Sequence, residues 1–226
     1  MFRACPGGRT GVHFGLTSSA SLRSLLLHAA AGSPLIAIGS ILLAWAAYPG
    51  FNNATQYLSE LGGAKAPFPV FFDLSLLAAA LGGGAAGVGF ALAVPALGGG
   101  RIAGRVVAGC FLAAAIGLIC GLVFVYPNPW HNLVQLGLGI QLAPFALLWA
   151  LWRVEGMAPL RVFLMLAAGA MVVLTVLTKH LIWPSLVNSD NVGWWERVYA
   201  LVLVGWGGIA AVSMERRLVY LARQAS

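Results

Sequence analysis

Apolar residues run in long stretches along this chain, and polar ones gather in the gaps between them. A transmembrane helix needs ~20 mostly apolar residues to cross a hydrocarbon core of ~30 Å. Six stretches meet that length: Leu25–Tyr48, Phe68–Val94, Ile102–Tyr126, His131–Trp152, Leu160–Trp183 and Trp194–Met214. Barrel strands would alternate polar and apolar over ~10 residues. The run from Leu76 to Val94 is instead apolar on every side. The pattern predicts an all-α integral membrane bundle of six transmembrane helices. Residues 1–22 read as a flexible cytoplasmic tail, 23–217 as the membrane domain and 218–226 as a second tail. The first twenty residues have no apolar core or cleavage site of a signal peptide.

The gap between the first two spans has a pattern of its own. Asn53 stands three residues before Gln56, a variant of the capping box. Gly62 and Gly63 supply a stop. Tyr57, Leu58 and Leu61 share one helical face between these signals. The spacing predicts a short amphipathic helix over Asn53–Leu61, lying on the outer membrane surface.

Composition agrees with the pattern. The chain is 60% hydrophobic and 8% charged, where a soluble domain carries ~25% charge. Disorder needs the opposite balance. The net charge of +7 does not form a nucleic-acid patch, because the basic residues are spread through the gaps between spans. They report topology instead. Arg3, Arg9, Arg23, Arg101, Arg105, Arg153, Arg161, Arg216, Arg217 and Arg223 fall on the side of the N-terminus, ten against three (Lys65, Lys179 and Arg197) on the other. The positive-inside rule makes the first side cytoplasmic, with both termini there. Arginine-rich gaps and heavy Ala and Gly usage point to a bacterial inner membrane. Trp130, Trp183, Trp194 and Trp195 mark the outer interface as an aromatic belt.

The small residues and cysteines are read as packing. Gly82-Gly83-Gly84 lacks the Lys-Ser or Lys-Thr of a phosphate loop. Gly83/Gly87 and Gly117/Gly121 have the spacing that lets helices approach closely. Cys5, Cys110 and Cys120 form no disulfide framework or metal-ligand pair.

The unusual polar groups lie on the outer side. Asp73 sits within two turns of the start of the second span, where a carboxylate is costly and wants a partner. Arg197 lies in the first turn of the last span, where the helix dipole disfavours a cation. Glu60 or Asp73 is the expected partner, since the adjacent Glu196 points about 100° away. His131 opens the fourth span at a helix N-terminus, which favours a neutral ring able to act as base or ligand. Ser59, Glu60, Asp73, His131, Glu196 and Arg197 are therefore expected to form one outer polar cluster. A weaker alternative is a metal held by His131, His180 and Asp73, which share no local ligand motif.

Several of these segments carry a resemblance. Tyr48-Pro49-Gly50-Phe51, Tyr57-Leu58-Ser59-Glu60-Leu61-Gly62, Ala66-Pro67 and Phe71-Phe72-Asp73 resemble the opening of the domain-of-unknown-function 998 (DUF998) membrane family. Gly121, Val125-Tyr126-Pro127 and His131 are similar to its middle motif, and Gly193-Trp194-Trp195-Glu196-Arg197 with Trp206 to its last span. The resemblance covers about residues 30 to 214. The family often has an acid after the proline of the middle motif; Asn128 stands there instead. The resemblance implies a compact bacterial multi-pass protein and no established activity.

Three functional readings follow. One is a membrane-embedded enzyme acting on a lipid or amphiphile at the outer cluster. The second is a ligand-binding or transport subunit, against which no matched pair of broken spans is found. The third is a structural or accessory protein whose cluster locks helices together. Membrane lipids are the expected partners, with a small amphiphile as candidate ligand. The sequence assigns no cofactor, reaction or oligomeric state.

Overall fold

The computed structural model describes residues 13–130, 138–178 and 183–225. It is a helical membrane bundle with no strand among those residues. The helices are α1 (His13–Ala46), α2 (Val70–Ala96), α3 (Arg101–Val123), α4 (Leu138–Leu151), α5 (Ala158–Thr178) and α6 (Val192–Ala225). Five of them are long and apolar enough to span a membrane. The fourth expected span, His131–Trp152, is described only from Leu138. Its 14 residues cover about 21 Å of the ~30 Å core. Both ends of the bundle extend past the expected boundaries, because helix begins at His13 and continues to Ala225.

Consecutive helices run in alternate directions and pack on their chain neighbours. The last helix, α6, closes the ring onto α1 and also reaches α2. Lipid-facing positions keep their large apolar side chains outward: Leu35 is 74% exposed and Ile102 71%. In water so many exposed aliphatics would be untenable. In hydrocarbon they cost nothing, and association rests on packing and interhelical hydrogen bonds.

The core holds both kinds of contact. Phe111 of α3 lies between Phe90 of α2 (centroids 5.3 Å apart) and Trp206 of α6 (5.4 Å). The Tyr199 hydroxyl of α6 bonds Gln141 of α4 and lies 2.9 Å from the Thr175 hydroxyl of α5. That knot joins three helices through polar groups with no competing water. At the N-terminal end, Arg161 donates to the carbonyls of Leu151, Trp152 and Val154 and so closes the α4–α5 turn.

The small residues divide into two roles. A Cβ on Gly87 would meet Phe111 Cβ at 3.0 Å and the Ala108 carbonyl at 3.2 Å, so this glycine does allow close approach. Gly83 has nothing within 4 Å, and Gly121 only Leu76 at 3.9 Å. Gly83 and Gly117 instead face a cavity. The expected glycine pairs thus supply one tight contact and a void.

Gly139 of α4 sits directly on the backbone of α3. A Cβ there would strike the Cys110 carbonyl and lie 2.9 Å from the Ala114 nitrogen. Both are backbone atoms and cannot rotate away. Gly139→Ala should therefore destabilise the bundle by about 1–3 kcal/mol, the usual cost of overpacking. Gly83→Ala should leave thermal stability in detergent unchanged. Equal melting temperatures for the two variants would contradict the assigned crossing.

Candidate functional site

The outer segment begins where α1 ends. Phe51 tucks under it, buried with Ala44, Leu58, Leu61 and Phe72. Asn52 organises the turn: its Oδ1 accepts from the Ala54 N–H (2.9 Å), and its own N–H donates to Gln56 Oε1 (2.7 Å). The helical part is a single 3-10 turn, Leu58–Gly62, with Leu58 and Leu61 buried. Glu60 caps it by accepting from the Tyr57 N–H at 2.8 Å. The expected helix over Asn53–Leu61 is thus corrected. The capping residue is Glu60, the side-chain turn forms on Asn52, and residues 53–56 are not helical. The stop at Gly62 and Gly63 falls where the sequence puts it.

The reason lies on α6. The Ala54 carbonyl accepts from the Gly193 N–H at 2.7 Å, and the Gln56 carbonyl accepts from Arg197 Nη1 at 3.2 Å. These carbonyls are turned toward α6 rather than along a helix axis of their own segment. Glu196 completes the clasp by accepting from the Leu58 N–H. Glu60 uses its second oxygen on Gln56 Nε2, 3.0 Å away. Arg197 also donates to the Gly193 carbonyl at 2.6 Å, and its guanidinium carbon lies 5.4 Å from the centre of the Phe51 ring. Its Nη2 is buried without a hydrogen-bond partner.

The structure therefore brings Glu60, Glu196 and Arg197 into one hydrogen-bonded group. The hydrogen bonds of Arg197 go to backbone carbonyls and its guanidinium lies over an aromatic face, while the charges of Glu196 and Glu60 act on it without a direct hydrogen bond among the described contacts. Ser59 lies half-buried on the same 3-10 turn. Asp73 is half-buried in the first turn of α2, and no hydrogen bond links it to Arg197 among the described residues. His131 and His180 lie outside the described residues, so the expectations placed on them do too. Among the described residues no three His, Cys, Asp or Glu side chains could hold a metal ion.

Beneath the clasp lies a cavity of about 270 Å³. Leu58 and Phe72 roof it, and Phe111 closes its inner end. Its walls come from α1, α2, α3 and α6, with Ile140 of α4, and many of them are small, among them Ala37, Gly83, Ala115 and Gly207. Ser33 and Ser75 are its polar side chains, and both hydroxyls turn back onto their own helices, to Ala30 and Phe72 carbonyls. From Ala30 to Ile41 on α1 the cavity runs about 16 Å along the helix, roughly half of the ~30 Å core. Its sign in the sequence is the runs of Ala and Gly, which serve close packing equally well.

Two predictions test the clasp. A Cβ on Gly193 would lie 2.5 Å from the Asn53 carbonyl, 2.6 Å from that of Gln56 and 2.8 Å from that of Ala54. Gly193→Ala should lift the loop at a cost of about 1–3 kcal/mol, seen as faster hydrogen exchange at residues 52–62; unchanged exchange there would count against the clasp. The second concerns Tyr57. Burial raises its phenol above the ordinary tyrosine value, and Glu196, Tyr126 and Glu60 push the same way. The folded state then holds this proton more tightly than the unfolded chain does. The resulting stability is complete below the ordinary tyrosine pKa and is lost as pH rises through the folded-state value. Alkaline titration of phenolate absorbance should show a late component that is missing in Tyr57→Phe.

No curated protein and no solved structure matches the chain. The family described as "Protein of unknown function (DUF998)" matches residues 30–213, a range that holds the outer loop, the clasp and every wall of the cavity. The chain belongs to the DUF998 family of membrane proteins.

Proposed function

We propose that the protein binds one apolar chain of a lipid or similar amphiphile in the cavity under the outer clasp. The carrying observation is the cavity itself: apolar walls, about 270 Å³, and a length close to one leaflet. An apolar void of this kind takes up hydrocarbon in preference to water. A chain entering it exchanges one hydrocarbon environment for another, so shape and packing set the affinity.

Binding is favoured over catalysis by the chemistry of the walls. A nucleophile needs a base within hydrogen-bond reach. The two serines facing the cavity donate to carbonyls of their own helices instead. The carboxylates of the clasp are engaged by backbone N–H groups and Gln56. The outer polar cluster is then the fastening of a lid, and the ligand lies beneath it.

The orientation in this reading follows the arginines. The termini and the α2–α3 and α4–α5 turns face the cytoplasm of a bacterial cell, and the clasp faces outward. The ligand comes from the outer leaflet.

Gly83→Leu tests the proposal. A Cβ at Gly83 has nothing within 4 Å, so a larger side chain can grow into the cavity without displacing a helix. Native mass spectrometry of protein purified in mild detergent should show a co-purified amphiphile on the wild type. The variant should lose it while keeping its melting temperature. Full retention by a stably folded variant would overturn the reading.

A further inference from the structure

A second cavity, of about 170 Å³, opens between α1 and α6 at the opposite end of the bundle from the clasp. Its inner wall is apolar: Leu27 and Ala31 from α1, Ala211 and Val212 from α6. Its mouth is polar: His28 from α1, Glu215 and Arg216 from α6. On α6 the apolar residues lie toward the membrane centre and the polar ones toward the helix end, and on α1 His28 stands between Leu27 and Ala31 in sequence. We propose that this groove binds an anionic phospholipid, with the phosphate at the mouth and a chain along the inner wall.

The polar groups divide the task. Arg216 is exposed at the mouth, and a guanidinium fork matches phosphate oxygens two at a time. His28 Nδ1 lies 2.7 Å from the Ser24 carbonyl, which holds the ring and leaves Nε2 as the nitrogen available to a ligand. Glu215 accepts from the Ser24 hydroxyl at 2.6 Å. Its negative charge limits the anion that the mouth tolerates. A singly charged phosphodiester suits it better than a free phosphate dianion. Arg23 and Arg217 add to the positive field at the same end. Basic pockets between helices at the cytoplasmic surface are suited to lipid phosphates. The site is independent of the outer cavity, since the two share no lining residue.

The test uses the full chain in neutral detergent, with native mass spectrometry during titration of phosphatidylglycerol or phosphatidylcholine. Phosphatidylglycerol should bind more tightly, and Arg216→Gln should weaken it about fivefold, the effect of one basic residue near an anionic surface. His28→Gln should act in the same direction, and Glu215→Gln should strengthen binding. Val212→Trp, placed on a 38% exposed rim position, should obstruct the chain and weaken binding while the melting temperature is kept. Gly83→Leu should leave the lipid preference intact, which separates this site from the outer cavity. Equal affinity for the two lipids would overturn the proposal, as would an Arg216→Gln variant that binds like the wild type. Displacement of phosphatidylglycerol by inorganic phosphate would overturn the lipid as the ligand, because the site would then recognise the free anion.

Discussion

A loop that folds back across the mouth of a membrane bundle must find a partner for each N–H and C=O that it removes from water. That requirement shapes the outer end of this protein. The segment between α1 and α2 is rich in turns and has only one helical piece, the 3-10 turn Leu58–Gly62. Its carbonyls at Ala54 and Gln56 and its amide at Leu58 are matched from outside, by Gly193, Arg197 and Glu196. Asn52, Gln56 and Glu60 supply matches from within. The charges at this end are thus consumed in fastening backbone. Substituting Gly193 would remove the fit because only a residue without a Cβ can lie among three converging carbonyls.

With the loop fixed, Leu58 and Phe72 become a roof, and the space below keeps its shape without a ligand. The bundle has bulk in its middle, where Phe90, Phe111 and Trp206 stack. It has small side chains above that stack. In a soluble protein such a void would cost dispersion contacts with nothing to replace them. In a membrane the solvent is itself hydrocarbon and can enter as a chain, so the void persists at little cost. The same kind of small residue that lets Gly87 approach α3 leaves open space at Gly83, where nothing lies within 4 Å, and Gly117 lines the same cavity.

These particulars define what could be read from the chain. Span number and approximate bounds were legible because hydrocarbon thickness is a strict ruler, although Leu138–Leu151 is described as a shorter helix than the stretch predicts. The stop at Gly62 was also legible, and so was the gathering of Glu60, Glu196 and Arg197 at one end of the bundle, since charges at a membrane boundary require an explanation. Their partners were not. Periodicity places residues on a face of their own helix, whereas the Glu196 to Leu58 bond joins residues 138 positions apart. The Tyr199 knot escaped for the same reason: Gln141 and Thr175 are ordinary mid-span polar residues until the helices are assembled. The cavity escaped because close approach and open space are written in the same small residues.

On the two proposals above, the ends of the bundle would recognise ligands by different physics. At the outer end Glu60 and Glu196 accept from backbone amides, and Arg197 gives Nη1 to backbone carbonyls, so little charge is left to steer a ligand. Discrimination there must come from the length and width of an apolar slot. At the other end Ser24 engages Glu215, and Arg216 stays exposed beside His28. Discrimination there comes from charge, with the apolar wall of α1 and α6 adding only a general affinity for a chain. The arginine asymmetry that orients the helices and the charge that recruits a phosphate are one feature of the sequence. The residues that fasten the outer loop are a separate one, and a change at either end should leave the other's ligand preference in place.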